Sequence, residues 1–328
     1  MSKVEIKVQF ETITPLWTGD AWMENNEIRP SSLIGSLRFW FEVYYKVCKN
    51  ENFEINENGI PKEKLDYEEF KKKVYEELLN KDEVFNSFEE IEDKILKNLG
   101  ISTPSRVFGC TCWKSRVRIK DINFETEILD ENKINNDFLI NTCFWIKRSL
   151  FNNNSNINVH KNVKFNISVN EYWFCNYLKE FFDFYSDRVI LVGGKKSFGF
   201  GFIKITYESS LNCNSSHINC SNFSNHYYYH EINYSPAKNQ NKNLILGFNF
   251  RYYLRKIENR EDRKRIFGDQ GKASSIYISN FNPASDKELK LVIIKNPFDD
   301  STFTKSINEI AEKLKNELIN TLQNGGNR

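Results

Sequence analysis

The sequence predicts an α+β fold in two units, and three observations predict it. Val4, Ile6, Val8 and Phe10 alternate with Lys3, Glu5, Lys7, Gln9 and Glu11, the period-two pattern of a half-buried strand. Two later stretches, RPSSLIGSLRFWFEVYYKVCK and EYWFCNYLKEFFDFYS, carry apolar residues at helical spacing, with strand-like segments between and after them. Finally, Arg106-VFGCTCWKSRVRI matches Arg265-IFGDQGKASSIYI without a gap, each preceded by an apolar-basic helix, SLRFWFE or NFRYYLR. A chain of 328 residues has the length for two such units.

The elements follow in order. The first strand runs out at Thr14-Pro15, because proline cannot donate to a ladder. After the loop LWTGDAWMENNEI, a helix is set by Leu33, Leu37, Trp40, Phe41, Tyr44 and Cys48, with Pro30, Ser31 and Ser32 at its entrance. Residues 62–99 read as two charged helices with apolar stripes (Phe70, Val74, Leu78, then Phe88, Ile91, Ile95, Leu99), a solvated insertion spanning about 50–100. Strands are expected at WKSRVRI, CFWIKRS and VKFNISV. The second helix places Phe174, Leu178, Phe181, Phe182 and Tyr185 on one face, and the glycine-rich stretch LVGGKKSFGFGF leads into the strand FIKITY. With the insertion set aside, strand, helix, strands, helix, strand is the split βαβ plan of a ferredoxin-like domain, its antiparallel sheet covered by helices on one face. The first domain is therefore expected at 1–207. A polar linker and the start of the second unit fall at 208–243, and a smaller second domain at 244–328.

Composition narrows the function classes. Charged residues make up 27% and aromatics 15%, as in a globular chain, and a net charge of +2 means that any nucleic-acid affinity must come from local patches. No apolar run of about 18 residues is present to span a membrane, and the N-terminus alternates instead of forming a signal-peptide core. Seven scattered cysteines, an odd number, predict no paired disulfide framework and a reducing, cytoplasmic compartment.

LVGGKKSFGFGF fails the phosphate-loop pattern, which would need a hydroxyl at Lys196 and a glycine at Val189. It also fails the dinucleotide fingerprint, because Gly199-Phe200-Gly201 leads into a strand pattern with no third glycine. What remains is a backbone able to approach a partner closely, flanked by Lys195 and Lys196. Arg29, Ser31 and Ser32 stand at a helix start, where free N–H groups favour an anion. Gly35 sits mid-helix at a cost of about 1 kcal/mol against alanine, so a close approach or helix packing must account for it. Arg38 shares a turn with Glu42. Lys114, Arg116 and Arg118 would fall on one face of a strand, a surface suited to tracking a single-stranded backbone. In the second half, Arg251, Arg255 and Lys272 belong to a net basic segment.

Catalytic constellations are poor by comparison. Nothing resembles HExxH or GxSxG. Asp20 is the best single acid in a loop, and His160 and Tyr172 are the other candidates for acid–base work. Cys213, His217, Cys220 and His226 have spacings that zinc tolerates but that match no standard finger. No catalytic residue, metal or cofactor is expected, and no small-molecule substrate or membrane partner.

Together, ETITPLWTGD, IRPSSLIGSLRFWFE, RVFGCTCWKSRVRI and LVGGKKSFGFGFIKI resemble the RAMP superfamily of CRISPR RNA-binding proteins, closest to the first-named subunit of the type III-B (Cmr) effector complex. The resemblance implies tandem ferredoxin-like domains in a non-catalytic antiviral subunit. Such a subunit holds the 3′ region of crRNA near the target RNA, beside other Cmr RAMP subunits. It places Arg29, Ser31, Ser32 and Arg38 on the family's helix motif, and Gly193, Gly194, Lys195, Lys196, Ser197, Gly199 and Gly201 on its glycine-rich loop, where glycine amides would reach RNA phosphates. The alternative within the superfamily is a metal-independent endoribonuclease that processes CRISPR RNA. The second half departs from the pattern, since only Asn324-Gly325-Gly326 follows its last helix.

Overall fold

The computed structural model describes residues 3–19, 24–53, 63–79, 84–134, 149–151, 154–213, 220–233, 243–257, 260–268, 274–295 and 306–323. The strand expected at CFWIKRS lies almost wholly outside them, as do Asp20, His217, Lys272 and the terminal glycines.

Strand β1, Lys3–Thr12, is the central strand of a five-stranded antiparallel sheet. Helix α1, Pro30–Cys48, follows, with proline in its first turn as the sequence predicts. Helices α2, Tyr67–Leu79, and α3, Phe88–Asn98, form the insertion, and a short α4, Thr103–Phe108, ends at Gly109. Next come β2, Arg118–Asp130, β3, Asn156–Asn170, and a helix α5 over 171–185 whose middle turn, Phe174–Leu178, is π-wound. Strands β4, Val189–Leu191, and β5, Phe202–Glu208, flank the glycine-rich loop, and the sheet order is β2-β3-β1-β5-β4.

The alternation in β1 does what its spacing requires: Ile6, Val8 and Phe10 are buried beneath α1 and α5, while Glu5, Lys7 and Glu11 face out. Trp40 of α1 donates its indole N–H to the Leu191 carbonyl at 2.9 Å, and the Tyr185 hydroxyl donates to the Trp40 carbonyl at 3.1 Å, which fixes both helices on the sheet.

A second, three-stranded antiparallel sheet is ordered β6-β8-β7, from β6, Tyr227–Asn233, β7, Ile276–Ile278, and β8, Glu288–Ile294. Strand β6 lies inside the polar stretch 208–243. Helices α6, Gly247–Ile257, α7, Arg260–Phe267, and α8, Ile307–Gln323, supply Phe250, Leu254, Phe267, Leu314 and Leu318 to the core over this sheet.

Three expectations are corrected. First, the cysteines do pair: Cys48 with Cys220, and Cys175 with Cys213. The partners are 172 and 38 residues apart, so only folding brings them together. Second, the insertion is more than a solvated face. Its helices enclose a small core of Phe70, Ile91, Ile95, Leu96 and Trp113, and α3 buries Asp93 against Arg106. Asp93 also accepts hydrogen bonds from Tyr172, at 2.9 Å, and from Tyr177. The wider π turn of α5 carries these two tyrosines round to the same carboxylate.

Third, WKSRVRI is a strand only from Arg118 onward. The Ser115 hydroxyl bonds both the amide and the carbonyl of Val117, at 3.1 and 2.9 Å, and Arg116 stacks on Trp113 at 3.9 Å while pairing with Glu92 at 3.0 Å. Local side-chain bonds of this kind compete with a ladder, so Lys114, Arg116 and Arg118 do not line one strand face. Among the described residues, no helix is long and apolar enough to cross a membrane.

Candidate nucleic-acid interface

The loop between β4 and β5 sits against the first turns of α1 on one side and the second sheet on the other. Its glycines are needed for contacts with the chain itself. At Gly193, φ +80°, a Cβ would lie 2.4 Å from the Trp17 carbonyl oxygen; at Gly199, φ +96°, it would lie 2.3 Å from the Asn280 side-chain oxygen. All four glycine amides donate internally: Gly193 to Ser36 Oγ at 3.1 Å, Gly194 to Trp17 O at 2.6 Å, Gly199 to Lys196 O at 3.0 Å and Gly201 to Pro15 O at 2.9 Å. This corrects the expectation that they reach phosphates, because a donor already used within the fold is not free for a ligand.

The chemistry left to the loop is cationic and aromatic. Lys195 Nζ lies 5.6 Å from the Trp17 ring and 5.8 Å from the Phe198 ring, and donates to the Ser149 carbonyl at 2.5 Å. Lys196 Nζ lies 5.6 Å from the Phe39 ring of α1. Burial lowers the pKa of both lysines, that of Lys196 to about 8. Phe198 stacks on Phe248 at 5.5 Å, and Phe248 on Tyr252 at 6.0 Å, so an aromatic row leads from the loop along α6. Ser197 is half-buried in the same turn.

Arg29 and Ser31 are exposed at the start of α1, with Ser32 half-buried beside them, and Arg29 pairs with Glu27 at 3.0 Å. Arg38 points inward: it donates to Glu42 at 2.8 Å, to the Gly109 carbonyl at 2.7 Å and to Ser105 Oγ at 3.4 Å. Lys114 and Arg118 are exposed, and Arg118 begins β2, at the opposite edge of the sheet from β4. The outer face of the five-stranded sheet is balanced in charge, with Lys7 paired to Glu208 and Lys120 to Glu5. Sequence reasoning missed the half-buried Phe39, Phe248 and Tyr252 beside this loop, and Trp17 and Phe198, which are buried beneath it; aromatics flanking a glycine-lysine loop were the available signal.

Among the catalytic candidates, His160 is fully buried, with Nδ1 3.3 Å from the Thr126 hydroxyl, and Tyr172 is held by Asp93. Cys213 and Cys220 belong to different disulfides, which removes two sulfurs from the zinc spacing.

The RAMP superfamily matches residues 9–204, from within β1 to within β5, including α1 and the entire glycine loop. The chain belongs to the RAMP superfamily. Membership in this family of CRISPR proteins points to a CRISPR-associated RNA-binding role among partner subunits. No curated protein matches the chain. Beyond the RAMP match, the second half repeats local bonds of the first. The Arg116 amide donates to Val107 O at 2.9 Å, and the Ser275 amide, at the matching position, to Ile266 O at 3.0 Å. Ser274 bonds Ile276 as Ser115 bonds Val117, and Gly268 has φ +75° where Gly109 has +90°.

Proposed function

We propose that the chain is a non-catalytic, cytoplasmic RNA-binding subunit of a type III-B (Cmr) effector complex, holding the 3′ region of crRNA near the target RNA in antiviral defence, beside other RAMP subunits. Gly35 carries this reading. It is exposed in the second turn of α1, and among the described residues a Cβ there would meet nothing within 4 Å. Packing within the chain therefore does not account for a residue that costs a helix about 1 kcal/mol against alanine. One turn away lie Ser31 and Ser32, and one turn on is Phe39, over which Lys196 sits. An RNA backbone brought against this face by Lys195 and Lys196 gives the missing side chain a reason.

Strand order supports a tandem ferredoxin-like reading. With β4 left aside, β2-β3-β1-β5 has the order of a complete ferredoxin-like sheet, and β6-β8-β7 has the order of one without its fourth strand. The burial of His160 favours binding over a ribonuclease that would use that side chain.

Gly35→Ala separates structure from ligand. It is expected to stabilise the free chain by about 1 kcal/mol while weakening single-stranded RNA binding. Changing Lys195 and Lys196 to Ala is expected to weaken binding uniformly across sequences and to flatten its salt dependence by roughly 0.7 in log–log slope per lost phosphate contact. Affinity unchanged in both variants would overturn the assignment. Cleavage of repeat RNA in EDTA by the intact protein would favour the endoribonuclease.

A further inference from the structure

The two halves hold one arginine in the same way and surround it differently. Arg38 in α1 and Arg251 in α6 occupy matching places in SLRFWFE and NFRYYLR. Each ties its helix to the end of a helix that closes at a positive-φ glycine: Arg38 to the carbonyl of that glycine, Gly109, at 2.7 Å, and Arg251 to Phe267 O, one residue before Gly268, at 2.7 Å. In the first half the other two nitrogens also find partners within the chain, Nε in Glu42 and Nη2 in Ser105. In the second half the residue matching Glu42 is Arg255, and the residue matching Ser105 is Lys264. Among the described residues, the Nε of Arg251 is buried with no partner and no carboxylate pairs with the exposed Arg255.

A buried donor without an acceptor is unfavourable, and two guanidinium groups one turn apart repel each other until an anion lies between them. Arginine's planar fork suits phosphate oxygens in particular. The place also fits a continuous path. Helix α6 starts against the glycine loop, where the Gly247 amide and Gly199 carbonyl both bond Asn280, and the half-buried rings of Phe248 and Tyr252 run along the same helix from the buried Phe198 beneath the loop. We propose that Arg251 and Arg255 form an anion site for an RNA phosphate, so that a single strand crossing the glycine loop continues onto the second unit. The proposal rests on the RNA-binding reading above.

Arg255→Glu is the informative variant, because it recreates in α6 the arginine–glutamate pair that α1 already accommodates. Binding of a labelled 20-nucleotide single-stranded RNA to the full chain is measured by anisotropy across a salt series, with Lys164→Glu on the outer sheet face as the control of equal charge change. The expected result is a loss of roughly tenfold in affinity and a log–log slope shallower by about 0.7 for Arg255→Glu, with a thermal midpoint no lower than that of the unaltered chain. An effect of Arg255→Glu no larger than that of Lys164→Glu overturns the site. If that happens while the Lys195 and Lys196 changes still weaken binding, the RNA-binding reading stands and only the second-unit site falls. If the unaltered chain binds no single-stranded RNA, both fall together.

Discussion

The disulfides give the most direct numerical test of the fold. Cys48 ends α1 and Cys175 lies in the π turn of α5; their partners, Cys220 and Cys213, both lie in the crossover from β5 to β6. The two bonds thus hold the start of the second unit to the helical layer of the first. In the chain-entropy picture, closing loops of 172 and 38 residues removes unfolded-state freedom worth about 5 and about 4 kcal/mol. Because the shorter loop lies within the longer, closing it first leaves an outer loop of about 135 residues and lowers the outer figure by only ~0.2 kcal/mol. Replacing Cys48 and Cys220 together by serine should therefore lower the guanidinium midpoint by an amount that corresponds to the larger figure, and a reductant, which opens both bonds, should lower that of the unaltered chain further. Thiol titration in denaturant without reductant is the companion measurement. Seven reactive thiols would refute the pairing; four protected sulfurs with an unchanged midpoint would refute the entropy argument. In a strongly reducing compartment the bonds would open, so their state in protein trapped by alkylation also bears on where the chain works.

Two further predictions follow from buried charge. Asp93→Asn leaves Arg106, whose side chain is only 5% exposed, without its anion, and should cost about 3–5 kcal/mol in denaturation; a loss below 1 kcal/mol would sink the argument. Lys196, whose pKa burial lowers from 10.5 to about 8, should bind RNA with proton uptake. Affinity should then fall as pH rises from 7 to 9, and Lys196→Ala should remove that dependence. Its effect on stability has the opposite sign: the unfolded chain keeps its proton to higher pH, so the folded state gains as pH rises from about 8 towards 10.5.

Much of this architecture was legible because periodicity reports burial directly. Alternation in β1, the Pro30 start of α1 and the interval from α5 through the glycine loop to β5 all emerged where the spacing put them. The repeat also had a physical basis: Arg106-VFG and Arg265-IFG both end a helix at a positive-φ glycine. What spacing did not reveal were contacts between distant segments. The cysteine pairs depend on the crossover folding back, and the amides of Gly193, Gly194 and Gly201 are satisfied by Ser36, Trp17 and Pro15, partners that no local pattern names. The supposed basic strand face failed for a local reason, since alternation assumes a strand that the Ser115 hydroxyl interrupts.

The repeat also separates residues that the fold requires from residues it does not. Arg38 satisfies a carbonyl, a hydroxyl and a buried carboxylate, so its presence is accounted for without any ligand. Gly35, one turn earlier, is accounted for by no contact among the described residues. In α6 the division reverses. The tether to Phe267 needs one arginine, and Arg251 supplies it with a single donor; neither Arg255 nor the unsatisfied Nε is required by that bond. Where two copies share a geometric device, the differences that the device does not demand are the places to look for selection by a ligand. By that criterion, the features proposed to face RNA are the open helix face at Gly35 in the first unit and the arginine pair in the second, and not the arginine that both units need in order to fold.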